Sequence, residues 1–329
     1  MAVSKRMVTR TPTKIVYLDQ KCWIDIAKLC YGEPSEEKKT LVKRILESSE
    51  KDQIIFPLSI SHLEETMRIA NRRHKDQLAS LMAKLSKGYS LQPYISTAIK
   101  AEIENIVLRK VGLPTLDIRN FVLKKGISHL IGAKPELKFK KDAISSGLTQ
   151  EIQRKLLDTL EDVKTIEFLL GLSPPKSLNR GIKKSIKEME NIRQELRNIK
   201  DNNLRWRVFL ARNICDLVLP MLTKITIEYN LPRDFVIKRK PTLRDVNEFL
   251  DSIPTALCFF TLIFRRDQQF QRPIPENDFH DIWFLTLAIP YCDVVITENM
   301  WTAISKQAKL DEKCKTVVLS SINEFGKYL

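Results

Sequence analysis

Carboxylates placed where strands end and helices begin are the chemically informative residues of this sequence. Asp278 and Asp281 stand three apart at the opening of the stretch Pro275–Glu298. On a helix that spacing puts them on one face, and in a first turn the unpaired N–H groups and positive dipole end favour negative charge. Ile282, Leu285 and Ala288 or Ile289 follow as an apolar stripe that Pro290 should break. Asp293–Thr297 then reads as a β-branched strand suited to the interior of a parallel sheet, with Glu298 at its end. Asp19 closes a similar run, Lys14–Leu18. Glu64 and Glu65 lie in the first turns of a helix that starts near Ser59 or Ser61, after strand text at Gln53–Phe56.

In an open parallel sheet the residues just past the strands' carboxyl ends gather along one edge. Acids collected there from separate segments repel and raise one another's pKa unless a cation neutralises them. Hard oxygen ligands suit Mg²⁺ or Mn²⁺, and such an ion can lower the pKa of a bound water and stabilise charge on a phosphodiester. The candidate metal ligands are Asp19, Glu65, Asp278, Asp281 and Glu298. Asp278 has helix capping as its alternative role. Glu64 completes a Ser61-x-x-Glu64 capping box, which favours Glu65 over its neighbour as the ligand. Asp293 reads as structural, and Thr297 as a residue that could orient a carboxylate. His62 and His280 lie close to these acids and read as capping or surface residues, with a phosphate contact as the alternative. Trp23, Trp283 and Trp301 read as core.

The charge balance favours a polyanionic partner. Lys and Arg exceed Asp and Glu by 15 over 329 residues, with pI near 9.5. Between Lys176 and Arg212 eleven basic residues face four acids. Lys183, Lys184, Lys187, Arg193, Arg197, Arg205 and Arg207 are therefore the candidate nucleic-acid contacts, a solvated helix face being the plain alternative. Trp206, between two arginines, reads as core or as a stacking platform. Six cysteines without a CxxC pair read as reduced thiols of a cytoplasmic protein. The apolar run Thr255–Phe264 is too short to span a bilayer, and no signal-peptide core opens the chain.

The supporting elements divide the chain. Residues 1–13 read as a loose basic arm. Up to residue 71 the order is strand, helix, helix, strand, helix, which implies a parallel sheet with covering helices. Residues 72–270 carry helical periods such as Ile95/Ile99/Ile103/Ile106 and Ile152/Leu156/Leu160/Val163, broken near Gly112, Gly126–Pro135 and Ser173–Pro175. Strand text returns in 271–329, at Asp293–Thr297 and Thr316–Leu319. The expected organisation is one small α/β domain built from 1–71 and 271–329, with an all-helical insertion at 72–270 between its halves.

Three segments together resemble the PIN-like nuclease family: "IVYLDQKCWIDIAK" with Asp19, "IIFPLSISHLEET" with Glu65 or Glu64, and "NDFHDIWFLTLAIPYCDVVITEN" with Asp281, Asp278 and Glu298. The likeness covers about 70 N-terminal and 55 C-terminal residues. It implies a small parallel α/β/α sandwich, Mg²⁺ or Mn²⁺ as cofactor, and catalytic roles for Asp19, Glu65, Asp281 and Glu298. It also implies endonuclease activity, with RNA favoured over DNA as substrate. Two features depart from the family's usual pattern: Glu298 replaces a frequent Asp, and the insertion is large. The alternatives are a DNA-directed nuclease, a toxin or defence effector, and an inactive module that binds nucleic acid or protein. A regulatory protein partner and the oligomeric state stay open.

Overall fold

The computed structural model describes residues 13–33, 35–132, 163–171, 179–232, 234–238, 240–269 and 272–329. The basic arm, most of the Ile152–Val163 period and the Ser173–Pro175 break lie outside them. Four strands, β1 (Lys14–Leu18), β2 (Ile54–Ile55), β5 (Val294–Ile296) and β6 (Val317–Leu319), form a parallel sheet in the order β2-β1-β5-β6. The strands are short, but their text is β-branched and buried on both faces, as a parallel sheet needs. Alternation sorts the side chains. Val16, Leu18, Val294 and Ile296 enter one core with Trp23, Phe56, Leu78 and Phe325. Tyr17 and Val295 enter the other, with Ile99, Phe260, Leu285 and Ile289. Helices therefore cover both faces. The chain is α/β and mostly helical, as expected.

The middle of the chain is not all helix. β3 (Tyr89–Leu91) and β4 (Leu123–Lys125) pair antiparallel, and Leu58 bridges to Ser90. Lys87 and Gly88 take positive φ (51° and 80°) to turn the preceding helix into β3. Most of the other middle helices build the larger core around the Glu276–Tyr291 helix, which is buried nearly all round, while the Ile127–Ile131 and Val163–Gly171 helices join the core on the other face. That helix runs through Pro290 and ends one residue later. Proline sits in the last turn, where only one further residue must be carried, so it does not end the helix where expected.

Among the described residues no single helix is long and apolar enough to cross a membrane. All six cysteines are free.

Asp293 is structural, at the amino end of the central strand pair. Its Oδ2 accepts the Ile15 amide at 2.7 Å and Arg119 Nη2 at 2.6 Å. The ion pair is partly exposed and adds little, but the Ile15 amide loses its acceptor without it. Asp293→Ala should cost about 1–2 kcal/mol in urea unfolding. A change within about 0.5 kcal/mol, the range of ordinary surface substitutions, would show that water replaces the carboxylate.

Candidate functional site

Asp19 follows β1 directly, and its N–H bonds the Ile296 carbonyl of the adjacent β5 at 3.0 Å. It then caps the Gln20–Tyr31 helix, Oδ1 accepting the Cys22 amide at 3.0 Å. Register pairs Leu18 with Ile296, so Asp19 and Thr297 leave the sheet side by side. Glu298 comes next, exposed at the N-cap of the Asn299–Gln307 helix. Glu65 lies on the Ile60–Met67 helix. Its neighbour Thr66 accepts Gln20 Nε2 at 3.0 Å, which ties that helix to the start of the Asp19 helix. Asp281 projects from the Glu276–Tyr291 helix, and its Oδ2 accepts Trp301 Nε1 at 2.8 Å. Trp301 is wholly buried, one turn beyond Glu298.

These four acids sense one another. Burial first, and then the charges of Asp19, Glu65 and Glu298, push the Asp281 carboxyl up to about 7 against the lowering bond from Trp301. Burial, with Asp19 next, lifts Glu65 to about 7. Asp19 is raised by burial and by Glu298, while the Cys22 amide opposes the rise. The Thr297 hydroxyl lies near enough to Asp19 to lower it slightly, but completes no hydrogen bond of ordinary geometry. Tyr17 is buried within reach of three of these charges, its ring stacked on His62 with centroids 5.3 Å apart and its hydroxyl 3.4 Å from Ser59 Oγ. Its phenol is held neutral by burial and by the charges of Asp281, Asp19 and Glu65. Among the described residues no three carboxylate, imidazole or thiol groups are arranged to hold one metal ion directly.

Asp278 stands apart from this group. Arg266 Nε bonds its Oδ2 at 2.5 Å and Arg272 lies 3.7 Å from Oδ1, with Arg266 completely buried. Its carboxylate is committed to an internal ion pair, which corrects the expected ligand role. The capping box of the Glu65 helix is Ser59 with His62, whose Nδ1 accepts the Ser59 amide at 3.0 Å, and not Ser61 with Glu64. Burial keeps His62 neutral, its pKa lowered to about 3. Glu64 instead lies 3.8 Å from His280 Nε2 inside the molecule. Burial raises Glu64 and lowers His280, so both favour their neutral forms.

The basic block is divided. Arg193 is buried, bonded to Glu190 and to the Gln269 and Arg272 carbonyls. Arg205 is buried against the Ile199 carbonyl and Asn202. Both are structural, which corrects their expected role as nucleic-acid contacts. Trp206 packs between Phe209 and Phe264, with centroids 5.9 and 4.9 Å away. Lys187, Arg197 and Arg207 are exposed. The side chains of Lys183 and Lys184 lie outside those described.

No protein-family model, curated protein or solved structure matches this chain. The site therefore stands on its own geometry. Its four acids come from four separate elements, and two residues that serve them were read only as core or strand. Trp301 reaches Asp281 with its indole N–H, and Tyr17 is buried close enough to feel Asp281, Asp19 and Glu65. A tyrosine among the aliphatic residues of the strand, two positions before the acid, was the available signal for the second.

Proposed function

We propose that the chain is a metal-dependent nuclease of PIN-like architecture, with Asp19, Glu65, Asp281 and Glu298 holding a divalent cation, Mg²⁺ or Mn²⁺. The observation that carries this reading is a set of four carboxylates at one sheet edge, two of them raised to about 7 by burial and mutual repulsion. Such a cluster is costly unless a cation relieves it. Mg²⁺ keeps several waters and needs only one or two direct carboxylates, so the lack of a three-ligand constellation among the described residues does not conflict with the donor set. When bound, the ion would lower the pKa of a water and stabilise charge on a phosphodiester. The chain's own groups would do the rest. Trp301 fixes the Asp281 carboxylate, and the Gln20–Thr66 bond holds the Asp19 and Glu65 helices in register. The net charge of +15 supports a nucleic-acid substrate.

The test is a cleavage panel of single-stranded RNA, tRNA, single-stranded DNA and duplex DNA with Mg²⁺, Mn²⁺ or chelator, together with a Mn²⁺ thermal titration. Metal-dependent cleavage and a rising Tm are expected. A second reading, a binding module without metal, draws on there being no three-ligand group among the described residues. No cleavage and a flat titration, with salt-sensitive binding retained, would establish it instead.

A further inference from the structure

We propose that the cavity between the Gln20–Tyr31 and Arg72–Ser86 helices is a subsite for one unstacked base of a single-stranded nucleic acid. Its link to the carboxylates rests on the nuclease reading; the cavity and its chemistry do not. The space is about 440 Å³, within the ~300–1,000 Å³ range of small-molecule sites. Ile24, Ala27, Lys28 and Tyr31 recur at helical spacing, so one stripe of the first helix faces the second. Between them, Ala27 and Gly32 leave the opening. Glycine is required at 32 because an added Cβ would sit 2.6 Å from the Lys28 carbonyl oxygen.

The floor is apolar, from Ile24, Ala27, Ile69 and Leu78. The wall is the Tyr31 ring, which is 47% exposed. A lone exposed tyrosine is ordinary on a surface. One that walls an apolar cavity is a face on which a base can stack. Gln77 brings an amide donor and acceptor to the same space, suited to a base edge.

Charge complements the occupant. Among the described residues Lys28 and His74 line the cavity and no acid does, Glu167 being the acid whose charge reaches Tyr31, and Arg72 and Arg73 are exposed where the second helix begins. Arg73 stands one turn before Gln77 on the same face. Arg72 makes only an exposed pair with Asp76 at 3.7 Å, which is weak. Position links the cavity to the acids. Ile24 and Tyr31 are ~8 and ~18 Å along the helix from Asp19 at 1.5 Å per residue. At ~3.4 Å per stacked nucleotide on one strand, the base would belong to a nucleotide ~2–5 positions from the carboxylates. A duplex would first have to unpair and unstack that base.

The test is fluorescence anisotropy in chelator, so that nothing is cut. A labelled single-stranded oligonucleotide, as RNA and as DNA in separate arms, is compared with a duplex of the same sequence. Tyr31→Ala should weaken single-strand binding about tenfold or more with the salt slope unchanged, while Tyr31→Phe keeps it. Arg73→Ala should reduce the slope of log K against log salt by about 0.7. Unchanged binding by Tyr31→Ala, or duplex bound as well as single strand, would overturn the subsite. Single-strand binding lost in Tyr31→Ala, from a wild type that cuts nothing in Mn²⁺, would leave the subsite standing and remove the nuclease.

Discussion

Asp281→Asn should reduce metal-dependent cleavage by ~100-fold or more, while raising the Tm of the cation-free protein at pH 8. The first effect follows from the reaction. A divalent cation supplies several kcal/mol of charge stabilisation in phosphoryl chemistry, and each ~1.4 kcal/mol is tenfold in rate. The second follows from linkage. Asp281 and Glu65 are held near 7, above the ordinary carboxylate range. A carboxyl raised in the folded state stabilises the fold fully below its unfolded pKa, and that contribution is lost as pH rises through the folded value. Without a cation, wild-type stability should fall between about pH 4 and pH 7, the two shifts together corresponding to at most ~8 kcal/mol. Asparagine cannot ionise, so the variant escapes part of the fall and should melt ~2–4 °C higher at pH 8. Mn²⁺ should raise the wild-type Tm and leave the variant almost unmoved. Equal cleavage by variant and wild type, or a variant less stable than wild type at pH 8, would remove Asp281 from the metal site. Differential scanning fluorimetry across pH, beside the cleavage assay, measures both.

How much of this could be read from residues depended on the range of each interaction. The strand ends were legible because a β-branched run in a buried parallel strand carries its own signal. Asp19 and Glu298 stand at such ends with little room for another placement. Asp281 was legible as a face-sharing acid, but so was Asp278, and spacing gave no ground for separating them. What separates them is Arg266, on the preceding Pro254–Asp267 helix and in a tertiary contact that no periodicity encodes. Arg193 shows the same limit. Besides Glu190, it bonds the carbonyls of Gln269 and Arg272, more than seventy residues away, so a charge count takes it for a surface cation. The short pair β3–β4 was lost to the strong helical periods around it. Gly88 and Gly126, both at positive φ, were its faint mark. The cavity beside Tyr31 was not legible at all, because it depends on how far two helices stand apart.

Asp278→Ala should behave in the opposite way to Asp281→Asn, although the two acids are three residues apart. Arg266 is completely buried, and its Nε bonds Asp278 while Nη2 bonds the Pro273 carbonyl at 2.8 Å. Removing the carboxylate leaves a guanidinium inside the protein with one carbonyl and the buried Asp267, whose carboxyl is raised by burial to about 7 and so neutralises it only in part. Breaking a buried pair in this way typically costs about 3–5 kcal/mol, because the remaining charge is uncompensated, whereas replacing both partners by apolar groups is often close to neutral. Asp278→Ala is therefore expected to lower unfolding stability by ~3–5 kcal/mol at every pH between 6 and 8. The double change Arg266→Met with Asp278→Leu should recover most of the loss. Cleavage per folded molecule should survive in the double variant, since neither residue belongs to the four-acid group. Asp278→Ala with wild-type stability and no cleavage would reverse the assignment and return Asp278 to the metal. The Arg266 pair would then be incidental, and the face shared by Asp278 and Asp281 would be the ligand face after all.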